Sequence, residues 1–268
     1  MKINFIGGGN MAHAIIGGLK QNGLDMSAIT VLELDAQKRT ELAQKFGVKV
    51  TDTYAEFSNT DVIVLAVKPQ QLKQVCSDLS ASLNSQLVVS IAAGVRSQDI
   101  SRWLNNHSAI VRVMPNTPAQ IRAGISALYA MPAVTQAQRE QAATILDAVG
   151  KTLWLDDETQ MDAVTAISGS GPAYVFYFIE AMTQAGADMG LTRTDAHKLA
   201  VATFVGASAL AQASDEPPEL LRQRVTSKGG TTYAALTHLE NQHVKDSFIQ
   251  AMQAAAARAK ELGDEFGA

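Results

Sequence analysis

Residues 3–19 read Ile-Asn-Phe-Ile-Gly-Gly-Gly-Asn-Met-Ala-His-Ala-Ile-Ile-Gly-Gly-Leu, an apolar stretch broken by three glycines and resumed with helical spacing. The pattern Gly7-x-Gly9-x-x-Ala12 has the spacing by which a main chain cradles a pyrophosphate. Gly7 permits a tight turn and Gly9 lets an anion approach the backbone. Ala12 keeps the next helix close to the strand, so the free N–H groups at the helix start face the negative charge. The plainer reading is an ordinary strand–turn–helix corner. A position directly after the first strand of a β/α chain favours a ligand with two phosphates and a ribose.

Three further segments bear groups that can do chemistry. Ala66-Val67-Lys68-Pro69 ends a strand-like run at the edge where doubly wound sheets bind ligands. Lys68 there is open to two readings, a contact to phosphate or ribose and a solvated loop lysine. Arg112-Val113-Met114-Pro115-Asn116-Thr117-Pro118-Ala119 leaves another strand along a path braced by two prolines. Asn116 and Thr117 are thereby held on a stiff loop, either to position a nicotinamide or substrate or to brace the loop itself. Val225-Thr226-Ser227-Lys228-Gly229-Gly230-Thr231-Thr232 precedes a helical run. Two glycines and two threonines at that place make a nest for a carboxylate or phosphate, whereas a simple N-cap needs one threonine and no diglycine.

These groups need elements to hold them. Strand-like runs fall at 3–6, 29–33, 62–67, 87–91 and 110–113, alternating with helical patterns at 11–21, 37–46, 70–83 and 97–104. That alternation predicts a parallel sheet covered on both faces. Runs at 126–130 and 152–155 flank a helical pattern at 135–149 and extend the sheet. Beyond residue 157 the strand signals stop, and helices are expected at 159–167, 172–188, 193–213, 217–224, 231–239 and 244–262. The fold class is therefore α/β: a Rossmann-like doubly wound domain over 1–160 and an all-helical domain over 161–268. Tyr174 to Ile179 is apolar all round its helix, which demands burial on every side. A partner subunit is the expected cover, and the C-terminal helices are expected to build a homodimer interface.

Composition narrows the classes. The chain has 268 residues, 47% hydrophobic, with a net charge of −4. This argues against disorder and against a nucleic-acid footprint. No apolar run approaches the length of a membrane span, and the first strand begins too early for a secretory leader. Cys76 is the single cysteine and reads as a buried structural thiol. The scattered histidines suggest no metal site. A soluble cytoplasmic protein without nucleic-acid or membrane partners is expected.

The segments above, together with Ile167-Ser168-Gly169-Ser170-Gly171-Pro172-Ala173-Tyr174, resemble the pyrroline-5-carboxylate reductase family, in order and along essentially the whole chain. The resemblance implies a Rossmann domain joined to a helical dimerisation domain, with dimers often assembling further. It implies catalysis of the last step of proline synthesis with NADP(H) or NAD(H). On the same resemblance Ile6, Gly7, Gly8, Gly9, Asn10 and Met11, with Ala66, Val67, Lys68 and Pro69, contact the dinucleotide. Gly230, Thr231 and Thr232 hold the substrate carboxylate and ring nitrogen, with the Gly229 to Thr232 amides on the carboxylate. Thr232 is the expected catalytic hydrogen bond to that nitrogen, and Asn116 is grouped with the cofactor contacts.

Two residues depart from the family pattern. Lys228 stands where the family usually has Pro, which loosens the turn and adds a positive charge. Glu33 ends the second strand, where a phosphate-tolerant residue is common and where an acid bonds a ribose 2′-hydroxyl. Lys38 and Arg39 are near enough in sequence to compensate, so use of both cofactors is expected, with NADH favoured more than in relatives lacking an acid. Reduction of a cyclic imine mainly needs placement and exclusion of water, because the protonated imine is already electrophilic. A 3-hydroxyacid dehydrogenase would instead need a lysine on the helix over 172–188, which has none. A non-catalytic dinucleotide sensor would need no second anion site.

Overall fold

The computed structural model describes residues 1–55 and 57–267. The β-branched runs form strands because both faces of a parallel sheet are covered. Strands β1 (Ile3–Ile6), β2 (Ile29–Leu32), β4 (Val62–Leu65) and β5 (Leu87–Ser90) are buried at every position. With β3 (Lys49–Thr51), β6 (Ile110–Met114), β7 (Gly124–Ala130) and β8 (Gly150–Leu155), they form one eight-stranded sheet in the order β3-β2-β1-β4-β5-β6-β7-β8. The order reverses between β1 and β4, which opens a crevice at their carboxyl ends.

Helices cover the two faces separately. On one face Ile15, Ile16 and Leu19 of α1 (Asn10–Gln21), Leu42 and Phe46 of α2 (Ala36–Phe46), and Ile145 and Leu146 of α5 (Gln136–Asp147) pack on Ile3, Phe5, Val31, Val62 and Val64. On the other, Leu72, Cys76 and Leu79 of α3 (Pro69–Leu79) and Ile100 of α4 (Ser97–Trp103) pack on Ile6, Leu32, Ile63 and Leu65. Burying one such aliphatic side chain contributes about 1.5–3 kcal/mol. Cys76 is fully buried, and that burial pushes its thiol pKa up to about 12.

The sheet departs from the expected parallel arrangement at one pair. β7 runs antiparallel to β6, with Val113 opposite Leu128, while β8 is parallel to β7. The link between β6 and β7 carries only a short 3₁₀ turn, Thr117–Ile121, and a parallel crossover needs a dozen residues or more. The helix expected over 159–167 is also divided. A 3₁₀ turn (Glu158–Gln160) leads into the one-turn helix α6 (Met161–Val164) and then a π-helical turn (Thr165–Gly169).

The chain forms two compact units, Met1–Gly169 with Ala255–Ala268, and Ser170–Ala254. The second contains α7 (Gly171–Asp188), α8 (Arg193–Ala213), α9 (Pro218–Arg224), α10 (Thr231–Asn241) and the start of α11 (Val244–Gly267). The end of α11 belongs to the first unit. There Arg96 pairs with Asp264 at 2.6 Å, and Phe266 packs against the core under α3 and α4.

Candidate active site

The glycine turn is assembled from the ends of three strands. Gly7 N–H donates to Leu32 O at 2.8 Å, and Ala66 N–H donates to Ile6 O at 2.8 Å. Gly7 has φ +98°, and a Cβ there would sit 2.6 Å from the Ala66 carbonyl oxygen. Only glycine satisfies both the backbone angle and the close approach. Ile6, Gly7 and Gly8 are thus held beside Ala66 and Val67, at the switch point of the sheet.

Helix α1 begins immediately afterwards. Its N-cap is Gly9, which supplies no side-chain cap, and a Cβ at Gly9 would meet nothing within 4 Å. His13 N–H returns to Gly9 O at 2.9 Å. The amides of Asn10, Met11 and Ala12 therefore precede the first intrahelical bond. An open approach to uncapped N–H groups suits a pyrophosphate, so these residues fit a dinucleotide. Lys68 is the N-cap of α3 and also gives no side-chain cap, with Pro69 opening the helix.

Asn116 bridges two segments of the chain. Its Oδ1 accepts the Ile125 N–H at 3.0 Å, and its Nδ2 donates to Ser168 O at 3.2 Å. The second bond satisfies a carbonyl of the π turn, so the loop after β6, the start of β7 and the Ser168 segment are joined through one side chain. A further junction went unassigned in the sequence. Arg112 of β6, only 5% exposed, pairs with Glu158 at 2.9 Å, while Glu158 also accepts the Ser97 N–H at 2.7 Å and the Ser97 hydroxyl at 2.6 Å. An arginine amid valines in a buried strand is the signal for such a partner.

In the helical unit, residues 227–230 close a turn. Gly230 N–H donates to Ser227 O at 3.0 Å and Gly229 has φ +73°, a conformation that favours glycine. Helix α10 then starts at Thr231 with Gly230 as N-cap and no side-chain cap. The first internal bond is Ala234 N–H to Gly230 O at 3.1 Å. Among the described residues, the amides and hydroxyls of Thr231 and Thr232 make no hydrogen bond to protein groups. Helix α10 thus opens as α1 does, on a glycine N-cap with no side-chain cap, a construction that suits an anion.

Residues 158–262 match the model for pyrroline-5-carboxylate reductase dimerisation, and residues 2–94 match one for NADP oxidoreductase, coenzyme F420-dependent. The chain is 46% identical to the pyrroline-5-carboxylate reductase of Pseudomonas aeruginosa over 99% of its own length and 98% of that protein. The chain belongs to the pyrroline-5-carboxylate reductase family. A solved pyrroline-5-carboxylate reductase from Coxiella burnetii superposes with a TM-score of 0.92 at 43% identity, covering 97% of this chain and 98% of that one. The Plasmodium falciparum pyrroline carboxylate reductase, solved with NADP bound, gives 0.88 at 29% identity, covering 98% of each. The two glycine-led helix starts therefore lie in a pyrroline-5-carboxylate reductase framework, one in each matched segment.

Proposed function

We propose that this chain reduces the C=N bond of 1-pyrroline-5-carboxylate to give L-proline, using NADH or NADPH. The observation that carries this reading is likeness to a named reductase over 99% of the chain. None of the relatives named above favours the alternatives, a 3-hydroxyacid dehydrogenase or a nucleotide sensor. Residues 1–160 serve as the dinucleotide domain and 161–268 as the substrate and dimerisation domain. When bound, the dinucleotide supplies the hydride. The uncapped amides of Asn10 and Met11 hold its pyrophosphate, with Ile6, Gly7, Gly8 and Gly9 shaping the turn and Ala66, Val67, Lys68 and Pro69 alongside. Asn116 acts indirectly, by fixing the loop that follows β6.

The substrate carboxylate is taken at the Gly229, Gly230 and Thr231 backbone, where the free N–H groups of Thr231 and Thr232 and the helix dipole favour an anion. Thr232 offers a hydroxyl to the ring nitrogen. A protonated imine is already electrophilic, so the residues mainly orient it and exclude water, and a strong protein acid is unnecessary.

Assembly supports the same reading. In the helical unit the buried apolar residues, among those described, are Ala196 and Ala200, while Phe176 is 64% and Tyr177 68% exposed. A folded unit so poor in core needs a partner surface, and a homodimer, alone or as a multiple, supplies it. A buried, unpaired thiol is in keeping with the cytoplasm we propose as its location. The test is consumption of reduced nicotinamide on addition of pyrroline-5-carboxylate, with proline identified as product. Unchanged cofactor in the presence of folded, nucleotide-binding protein would overturn the assignment.

A further inference from the structure

A dinucleotide laid over the carboxyl end of a doubly wound sheet brings its adenosine ribose to the end of the second strand. A carboxylate there bonds the 2′-hydroxyl, whereas a 2′-phosphate calls for a cation. Glu33 follows β2 at that place, and its carboxylate is fixed from two sides. Oε2 accepts the Gly8 N–H at 3.0 Å and Oε1 accepts the Asp35 N–H at 3.0 Å. The first bond ties the acid directly to the glycine turn.

The groups that could offset this charge are committed elsewhere. Arg39 donates through Nη1 to the carbonyls of Glu33 at 2.7 Å and Leu34 at 2.9 Å, and its Nη2 pairs with Asp52 at 3.3 Å. It holds the chain after β2 and is already neutralised. The N-terminus of α2, the other natural seat for a phosphate, is occupied by a carboxylate. Asp35 Oδ1 accepts the amides of Gln37 at 2.9 Å and Lys38 at 3.2 Å. What remains is the exposed side chain of Lys38, set against two carboxylates.

We infer that Glu33 is the specificity-determining residue for the nucleotide, and that it makes this enzyme favour NADH over NADPH. The inference rests on the proposed dinucleotide role of residues 6–11 and 66–69. It runs against the NADP seen in the Plasmodium falciparum relative. The mechanism is direct. The carboxylate offers the ribose hydroxyl an acceptor and meets a phosphate with like charge, in a half-buried position that water screens only in part.

The test is calorimetric titration of the full-length protein with NADH and with NADPH, in the absence of imine. Wild type should bind NADH at least about tenfold more tightly. Glu33→Ser should move the ratio of dissociation constants toward NADPH by about tenfold. Glu33→Gln removes the charge yet keeps an oxygen for the Gly8 N–H, so it should move the ratio the same way and serves if the serine variant fails to fold. Equal or tighter binding of NADPH by wild type would overturn the inference, as would ratios unchanged in both variants. Binding of neither nucleotide would overturn the dinucleotide reading as well. NADH-selective binding without imine reduction would support the inference while overturning the proposed reaction.

Discussion

Thr232 is the second residue of a helix whose N-cap is glycine, and its hydroxyl is free of protein partners among the described residues. Such a group is available to a ligand at little cost to the fold. Thr232→Ala should therefore leave nucleotide binding intact and lower kcat/KM by about ten- to a hundredfold, a loss of roughly 1.4–2.7 kcal/mol of transition-state stabilisation. Wild-type kinetics in that variant would remove Thr232 from the site, and lost nucleotide affinity would reassign the nest. The glycines were readable as sequence because φ +98° at Gly7 and φ +73° at Gly229 leave few other residue types. Asn116 was not readable in the same way. An amide on a stiff loop suits a ligand or a brace equally, and its bonds to Ile125 and Ser168 are not written in the local sequence. Arg39 likewise suits a phosphate by its place in the sequence, whereas its bonds to Glu33, Leu34 and Asp52 commit it to the protein. Lys228 sits just before Gly229 in the turn closed by Gly230, where Pro would preset the backbone.

At the scale of elements, the strands were legible where burial on both faces forces continuous β-branched runs. β3 is not legible in the sequence, because Lys49-Val50-Thr51 is a short edge strand with polar ends. The reversal at β7 depends on the length of a connection, and the π turn on where α6 stops, neither of which periodicity reports. The Arg112–Glu158–Ser97 junction binds β6, the start of α4 and the segment before α6, so it steadies the loop that carries Asn116. Glu158→Ala would leave Arg112 buried without its counter-charge and should destabilise the protein by about 3 kcal/mol. Chemical denaturation measures this, and a loss below about 0.5 kcal/mol would show that the junction is dispensable. Nucleotide binding by the folded variant should change little, because the turn at residues 6–11 lies on other strands.

The whole molecule divides its labour. The sheet unit has two dense cores and the glycine turn at residues 7–9, whereas the helical unit has the glycine turn before α10 and large exposed apolar side chains. Phe178 is half-buried and packs on Phe248, with ring centroids 5.6 Å apart, so altering it would disturb the unit itself. Phe176 is exposed and tests assembly more cleanly. Phe176→Asp should dissociate the homodimer, or larger assembly, at micromolar concentration, because the charge would be buried unpaired at the interface. Sedimentation velocity reads this, and a monomeric wild type would contradict the assembly reading. The central claim concerns the reaction, and it is tested most directly by supplying the purified protein with pyrroline-5-carboxylate and each reduced nicotinamide in turn. The account predicts loss of nicotinamide absorbance matched mole for mole by L-proline, faster with NADH. Protein that is folded and binds nucleotide but yields no proline with either cofactor would contradict it.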